Sequence, residues 1–166
     1  FAPDLYHGKV VDTIAGAKAL SAALDENQAM ADIATAAEFL LARSNQDKTL
    51  AVIGFSLGAN FALELSITDP DHVRSVVLFY GTGPTDLTQS KAAYLGHFGD
   101  RDEFEPKSSV DMLESALRSA GREVNFYTYS DTGHWFFEPD RPQAFNPKAA
   151  ELAWERTLEF LNQSFK

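Results

Sequence analysis

Ser56 stands in Gly54-Phe55-Ser56-Leu57-Gly58, between a run with strand character, "TLAVIGF", and one with helix character, "ANFALELSI". A serine hydroxyl is a weak nucleophile until a base takes its proton, and it must stand where a substrate can reach it. A sharp strand-to-helix turn does the presenting. It forces the serine into strained backbone geometry, and bulky side chains two positions either side are expected to clash with it. The following helix points its positive end at the turn, which places the Leu57 N–H to stabilise an oxyanion.

Such a serine needs an imidazole, and the imidazole needs a carboxylate, in the chain order Ser, Asp or Glu, His. Of the four histidines, His7 and His72 precede the strands that would place them correctly. His97 lies inside the strand pattern "AAYLGHF", where a structural role is expected. His134, in "SDTGHWFF", sits on a glycine-containing loop just after the last strand pattern, 78 residues beyond Ser56. That is the right end of the right strand for a base. For the carboxylate, "GDRDEFEP" offers Asp100 and Asp102, with Glu103 third, and spacing alone leaves the choice open. The bland alternatives are a turn serine, a surface histidine and solvated turn acids. The strand and helix flanking the serine favour the chemical reading.

The elements that must position these groups follow from periodicity. "DENQAMADIATAAEFLLARS" (25–44) predicts a helix with Met30, Ile33, Ala34, Ala37, Phe39, Leu40 and Leu41 on its apolar face. "TLAVIGF" is a continuous apolar run, expected as a strand covered on both faces, and "ANFALELSI" continues as helix until Asp69-Pro70. "RSVVLFY", "AAYLGHF" and "EVNFYTY" predict strands, and "SSVDMLESALRSAG" predicts a helix capped by Gly121. The last helix, "PKAAELAWERTLEFLNQSF", is expected to bury Ala150, Ala153, Trp154, Leu158 and Leu161. Strands alternating with helices or long crossovers predict an α/β fold, a mainly parallel sheet flanked by helices. In such sheets chemistry gathers beyond the C-terminal ends of the strands.

Composition narrows the partners. The chain has 166 residues, a length that fits one domain, with 45% hydrophobic and 23% charged residues. A net charge of −10 argues against nucleic acid and against an anionic membrane surface. There is no cysteine, hence no disulfide, thiolate metal site or cysteine nucleophile, and a cytoplasmic location is expected. No apolar run is long enough for a membrane span, and "FAPDLYHG" lacks the basic start and apolar core of a secretory leader. No metal-binding spacing such as HExxH occurs, and "GTGP" (81–84) is no phosphate loop, so neither metal nor cofactor is expected.

Taken together, "APDLYHG", "GFSLGAN", "HFGDRDEFEP" and "TGHWFFEPDRP…FNPKAAELAWERTLEFL" resemble the dienelactone hydrolase family of α/β-hydrolases, from Phe1 nearly to the last residue. The resemblance implies a catalytic triad of Ser56, Asp102 (the aspartate of "DEFEP") and His134, with the Leu57 N–H in the oxyanion hole. It implies hydrolysis of small-molecule esters or lactones through an acyl-serine. Of the aromatics near the motifs, Phe55, Tyr80, Trp135, Phe136 and Phe137, the substrate-pocket candidates are Phe55 and Trp135.

Three departures qualify the likeness. The founding enzymes carry cysteine where this chain has Ser56. Two arginines that hold their substrate's carboxylate are replaced here by His7-Gly8 and by Glu138, so neutral substrates are expected. In complete members several strands precede "APDLYHG". The chain, read as one domain over 1–166, is therefore expected to lack the first strands of the full fold, including the loop with the second oxyanion donor. Self-association or a partner segment would then complete the sheet. The rival reading from another class is a catalytically inactive subunit kept for binding or assembly.

Overall fold

A computed structural model describes residues 1–44 and 48–166. They fall into two compact units, Phe1–Lys48 and Thr49–Lys166.

The first unit holds two helices, α1 (Ile14–Ala22) and α2 (Glu26–Leu41). Each starts on a side-chain cap. Thr13 Oγ1 accepts from the Gly16 N–H, and Asp25 Oδ1 accepts from the N–H groups of Asn27 and Gln28. Such caps satisfy first-turn donors that have no partner inside the helix. The helix predicted over 25–44 is α2, but its buried side is Ala29, Ala36 and Ala37, and Phe39 is 43% exposed. Phe39 lies between the Phe1 ring, 5.5 Å away, and the Arg43 guanidinium, 3.5 Å from its centroid. No periodicity pointed to α1, which buries none of its residues.

The second unit is a four-stranded parallel sheet in the order β1 (Leu50–Phe55), β2 (Val73–Phe79), β3 (Ala93–Gly99), β4 (Val124–Tyr129). Helix α3 (Leu57–Thr68) joins β1 to β2, α4 (Lys107–Ser119) joins β3 to β4, and α5 (Pro147–Ser164) follows β4. A long loop without helix joins β2 to β3. Gly121, at φ 75°, terminates α4 as predicted. The two central strands are buried almost throughout, as strands covered on both faces must be. β1 does not meet that expectation. Among the described residues it pairs with β2 alone, and Ala51 and Phe55 are exposed.

In-register pairing sets four rings in a row across the sheet: Phe55 opposite Phe79, Phe79 opposite His97, His97 opposite Tyr127. Their centroids are 4.7, 4.7 and 6.2 Å apart. α5 contributes Ala149, Ala150, Ala153, Thr157 and Phe160 to the interior, while Trp154 and Leu158 are 41% and 44% exposed. The buried stripe is thus rotated from the predicted one. Small residues let the helix come close to the core of Val77, Phe79, Leu95, Tyr129 and Phe136, and Thr157 meets His97 there.

His97 is fully buried, with Nδ1 2.9 Å from the Tyr129 hydroxyl and Nε2 3.0 Å from Thr157 Oγ1. Thr157 Oγ1 donates to the Ala153 carbonyl, so it accepts from His97 Nε2–H. Tyr129 accepts from Arg156 and donates to the bare Nδ1. Both ring nitrogens are satisfied in the neutral form, in keeping with the structural role expected for this histidine.

Candidate active site

Ser56 occupies the junction of β1 and α3 at φ 51°, ψ −118°, a conformation that costs a non-glycine residue on the order of 1–3 kcal/mol. Its N–H donates to the Phe79 carbonyl at 2.9 Å, which ties the turn to β2. The two motif glycines differ in what they permit. A Cβ on Gly54 would stand 2.4 Å from the Gly58 carbonyl oxygen and 2.6 Å from the Ala59 Cα, so glycine is required there. A Cβ on Gly58 would meet nothing within 4 Å, so an added methyl is tolerated on that side.

The second required glycine lies outside the motif. A Cβ on Gly81 would fall 2.3 Å from the Ser56 carbonyl oxygen and 2.8 Å from the Ala59 Cβ. Gly81 and Gly83 of "GTGP" therefore serve close packing against the turn and α3.

Loops beyond β3 and β4 bring the other two groups to Ser56. Gly99 admits the Thr132 carbonyl, which a Cβ would meet at 2.5 Å. The Arg101 N–H donates to that carbonyl at 2.9 Å, the Asp100 N–H to the Tyr129 carbonyl at 3.1 Å, and the Thr132 N–H to Asp100 Oδ1 at 3.3 Å. Arg101 pairs with Asp131 across the same seam. The result sets His134 Nε2 2.9 Å from Ser56 Oγ and His134 Nδ1 2.8 Å from Asp102 Oδ2. The side chains of His134 and Asp102 are 6% and 2% exposed. Of the three acids left open by spacing, Asp102 touches the imidazole, Asp100 braces the loop, and Glu103 is exposed. The other histidines lie elsewhere: His7 pairs with Asp32 in the first unit, and His72 with Asp69.

Electrostatics fixes the proton positions. Burial alone would raise the Asp102 carboxyl, but hydrogen bonds from His134 and from the Glu105 and Phe104 N–H groups outweigh it and hold the carboxyl below its ordinary 3.8. The ionised carboxylate only accepts, so a neutral His134 carries its proton on Nδ1, and Nε2 is free to accept from Ser56. Such an arrangement is competent to move a proton off the serine hydroxyl.

Three rings enclose the His134 imidazole: Tyr80 at 4.9 Å, Phe104 at 5.1 Å and Trp135 at 5.1 Å, edge-on. Tyr80 is fully buried at φ 40°, and its hydroxyl donates to Glu138 Oε1 at 2.9 Å. Burial, then the Glu138 charge, pushes that phenol well above the ordinary range. Glu138 Oε2 accepts from Arg141 Nε at 2.6 Å, and the Arg141 guanidinium lies 4.4 Å over the Trp135 ring. Glu138 thus forms an ion pair with Arg141 beside the Trp135 ring. Of the candidate pocket aromatics, Phe55 is 39% exposed and Trp135 half-buried, whereas Tyr80 and Phe136 belong to the core. Phe104, 45% exposed beside His134, escaped sequence reasoning because "DEFEP" drew attention to its acids.

Leu57 opens α3, and a first-turn N–H has no acceptor within its own helix, which leaves this donor beside Ser56. Among the described residues no cluster of three or more His, Asp or Glu is placed to hold a metal ion, and no helix is long and apolar enough to cross a membrane.

This four-stranded sheet with its strand-to-helix turn has the fold of the α/β-hydrolases. A Klebsiella pneumoniae structure assigned as a dienelactone hydrolase superposes with a TM-score of 0.82 at 24% identity, covering 97% of this chain and 73% of its own. The family model for dienelactone hydrolases matches residues 1–165, and the chain belongs to that family. Among curated relatives, a protein of Escherichia coli (strain K12) assigned as a carboxymethylenebutenolidase is 29% identical over 156 residues, 87% of this chain and 57% of its own length. The carboxymethylenebutenolidase of Rhodococcus opacus is 29% identical over 180 residues, 97% of this chain and 68% of its own. The chain thus spans little more than half of the first of these relatives.

Proposed function

We propose that the chain is a serine hydrolase of small carboxylic esters or lactones, acting through an acyl-enzyme on Ser56. The observation that carries the reading is the unbroken path from Ser56 Oγ through His134 to Asp102, at 2.9 and 2.8 Å. Nε2 of His134 takes the hydroxyl proton as Oγ attacks the carbonyl carbon. The Leu57 N–H stabilises the resulting oxyanion, and Asp102 holds the imidazole tautomer and stabilises the imidazolium. The proton then passes to the leaving alkoxide, and water repeats the sequence on the acyl-serine. Phe55 and Trp135 line the substrate side, with Phe104 beside them. The names of the relatives, carboxymethylenebutenolidases, support the ester or lactone class.

Incubation with a fluorophosphonate, followed by peptide mass spectrometry, tests this. A small phosphonate asks little of a substrate pocket and much of the serine. The expected result is a single adduct on Ser56, absent in Ser56→Ala and strongly slowed in His134→Ala. A second reading draws on the unpaired outer edge of β1 among the described residues: an inactive subunit that contributes a sheet edge to an assembly. Folded chain that takes no label would favour it.

A further inference from the structure

The acid of the site sits on a turn that is held from one side by its own side chain. Asp102 Oδ1 accepts from the Phe104 N–H at 2.8 Å and from the Glu105 N–H at 2.9 Å, leaving Oδ2 for His134. Such a turn closes on itself and does not by itself hold its place over the sheet. The segment then enters α4 at Pro106, which offers no side-chain cap.

The Asp100 and Arg101 bonds hold the N-terminal side of this turn to the loop after β4, and Glu105 anchors its C-terminal side. Its Oε2 accepts from the Thr82 N–H at 2.9 Å and its Oε1 from the Thr82 hydroxyl at 3.0 Å, a two-point clamp reaching 23 residues back along the chain. Thr82 follows two residues that already define the site. The Tyr80 ring packs on His134 at 4.9 Å, and Gly81 lies so close to the turn that a Cβ would meet the Ser56 carbonyl oxygen at 2.3 Å. Through one residue, the backbone that donates to Asp102 is fastened to the segment that backs both Ser56 and His134. A solvated turn acid, the ordinary reading of this residue, would not spend both oxygens on one neutral partner.

We infer that Glu105 is a positioning residue: its clamp on Thr82 sets where Asp102 stands relative to His134, without touching substrate or the reacting atoms. The inference rests on the Ser56–His134–Asp102 reading above. Because Asp102 acts on the imidazolium that exists only during reaction, loss of the clamp lowers kcat and spares KM. The clamp depends on shape and not on charge. A glutamine at 105 accepts from the Thr82 N–H with its amide oxygen and donates to the Thr82 hydroxyl with its amide nitrogen.

The test measures kcat and KM for p-nitrophenyl acetate on the full chain, with kcat divided by the concentration of sites titrated with fluorophosphonate. That normalisation removes any loss due to misfolded protein. Glu105→Ala is expected to lower kcat per site about 10- to 100-fold, in the range of small misplacements of catalytic groups. KM stays unchanged, Glu105→Gln restores most of the rate, and Thr82→Val, which keeps the N–H bond and loses the hydroxyl, falls between. Asp102→Ala serves as the reference. If Asp102→Ala is slow and Glu105→Ala runs at the wild-type rate, the positioning role is overturned and the triad stands. Equal losses in Glu105→Ala and Glu105→Gln, with KM raised, would mean that the charge acts on substrate, which also overturns it. If Asp102→Ala itself is unimpaired, the triad reading fails and takes this inference with it.

Discussion

Ser56 pays for its exposure in backbone strain. At φ 51°, ψ −118° a side chain is disfavoured and glycine is at ease. Two substitutions that both remove the hydroxyl are therefore expected to part company in stability. Ser56→Gly should melt higher than Ser56→Ala, by a difference of about 1–3 kcal/mol. Equal melting temperatures would show that the conformation is not strained. At the other end of the path, Asp102→Asn puts a donor opposite His134 Nδ1 and selects the wrong tautomer. The expected loss is about 10³- to 10⁴-fold in kcat, with KM little changed, in the same p-nitrophenyl acetate assay. The placement of Ser56 at a strand-to-helix turn and of His134 on the loop after β4 was readable from their types and from the elements beside them. Spacing did not separate Asp102 from Asp100, because both lie in one turn; the family pattern pointed to Asp102, and the folded loop sets that carboxylate against the imidazole.

The strand-to-helix junction makes a sharper claim than its sequence pattern. Gly54 and Gly81 both face backbone atoms at under 2.5 Å from a would-be Cβ, and Gly58 faces open space. Gly81→Ala is thus expected to destabilise by about 1–3 kcal/mol, an overpacking cost, and to slow labelling of Ser56. Gly58→Ala should leave both stability and labelling near wild type. Urea melts and labelling rates on the two variants decide the matter, and a Gly58→Ala as damaging as Gly81→Ala would contradict it. The helices carry the same lesson. Periodicity correctly announced α5, yet the large apolar Trp154 and Leu158 drew the expected stripe away from Thr157 and Phe160. What turns the helix is its partner: the sheet presents large rings, so it accepts alanine and threonine and leaves the tryptophan near Phe137, 6.2 Å from its ring.

For the whole molecule, the buried His97 sets a pH response apart from the chemistry. Burial, and then the nearby Arg156 charge, lowers this imidazole from 6.5 to about 3. The groups around it are otherwise neutral: the rings of Phe79, Tyr127 and Tyr129 and the Thr157 hydroxyl. Between those two values the unfolded chain binds a proton that the folded chain refuses, so stability falls as pH drops below 6.5. The slope from this one group approaches roughly 1.4 kcal/mol per pH unit. Asp102, whose carboxyl is lowered, acts in the same direction only further down, its contribution being lost as pH falls through its folded value below 3.8. Urea midpoints at pH 7 and pH 5 should therefore diverge in the wild type and converge in His97→Gln. Unchanged pH dependence in that variant would remove His97 as the source.

The pattern of types along the chain was enough for the alternation of strand and helix, the parallel sheet, Ser56 at a strand-to-helix turn and His134 on the loop after the last strand. Each of these rests on local rules: periodicity, turn chemistry and the crossover a parallel strand requires. Tertiary structure decided what depends on partners distant in sequence. It set Asp102 Oδ2 against the imidazole and Asp100 Oδ1 against the Thr132 N–H, rotated α5 onto its small residues, assigned close packing to Gly81 and not to Gly58, and paired Glu138 with Arg141. It also joined Glu105 to Thr82, 23 residues apart. No period or motif encodes such a meeting, because it follows from where two loops end up once the strands between them have paired.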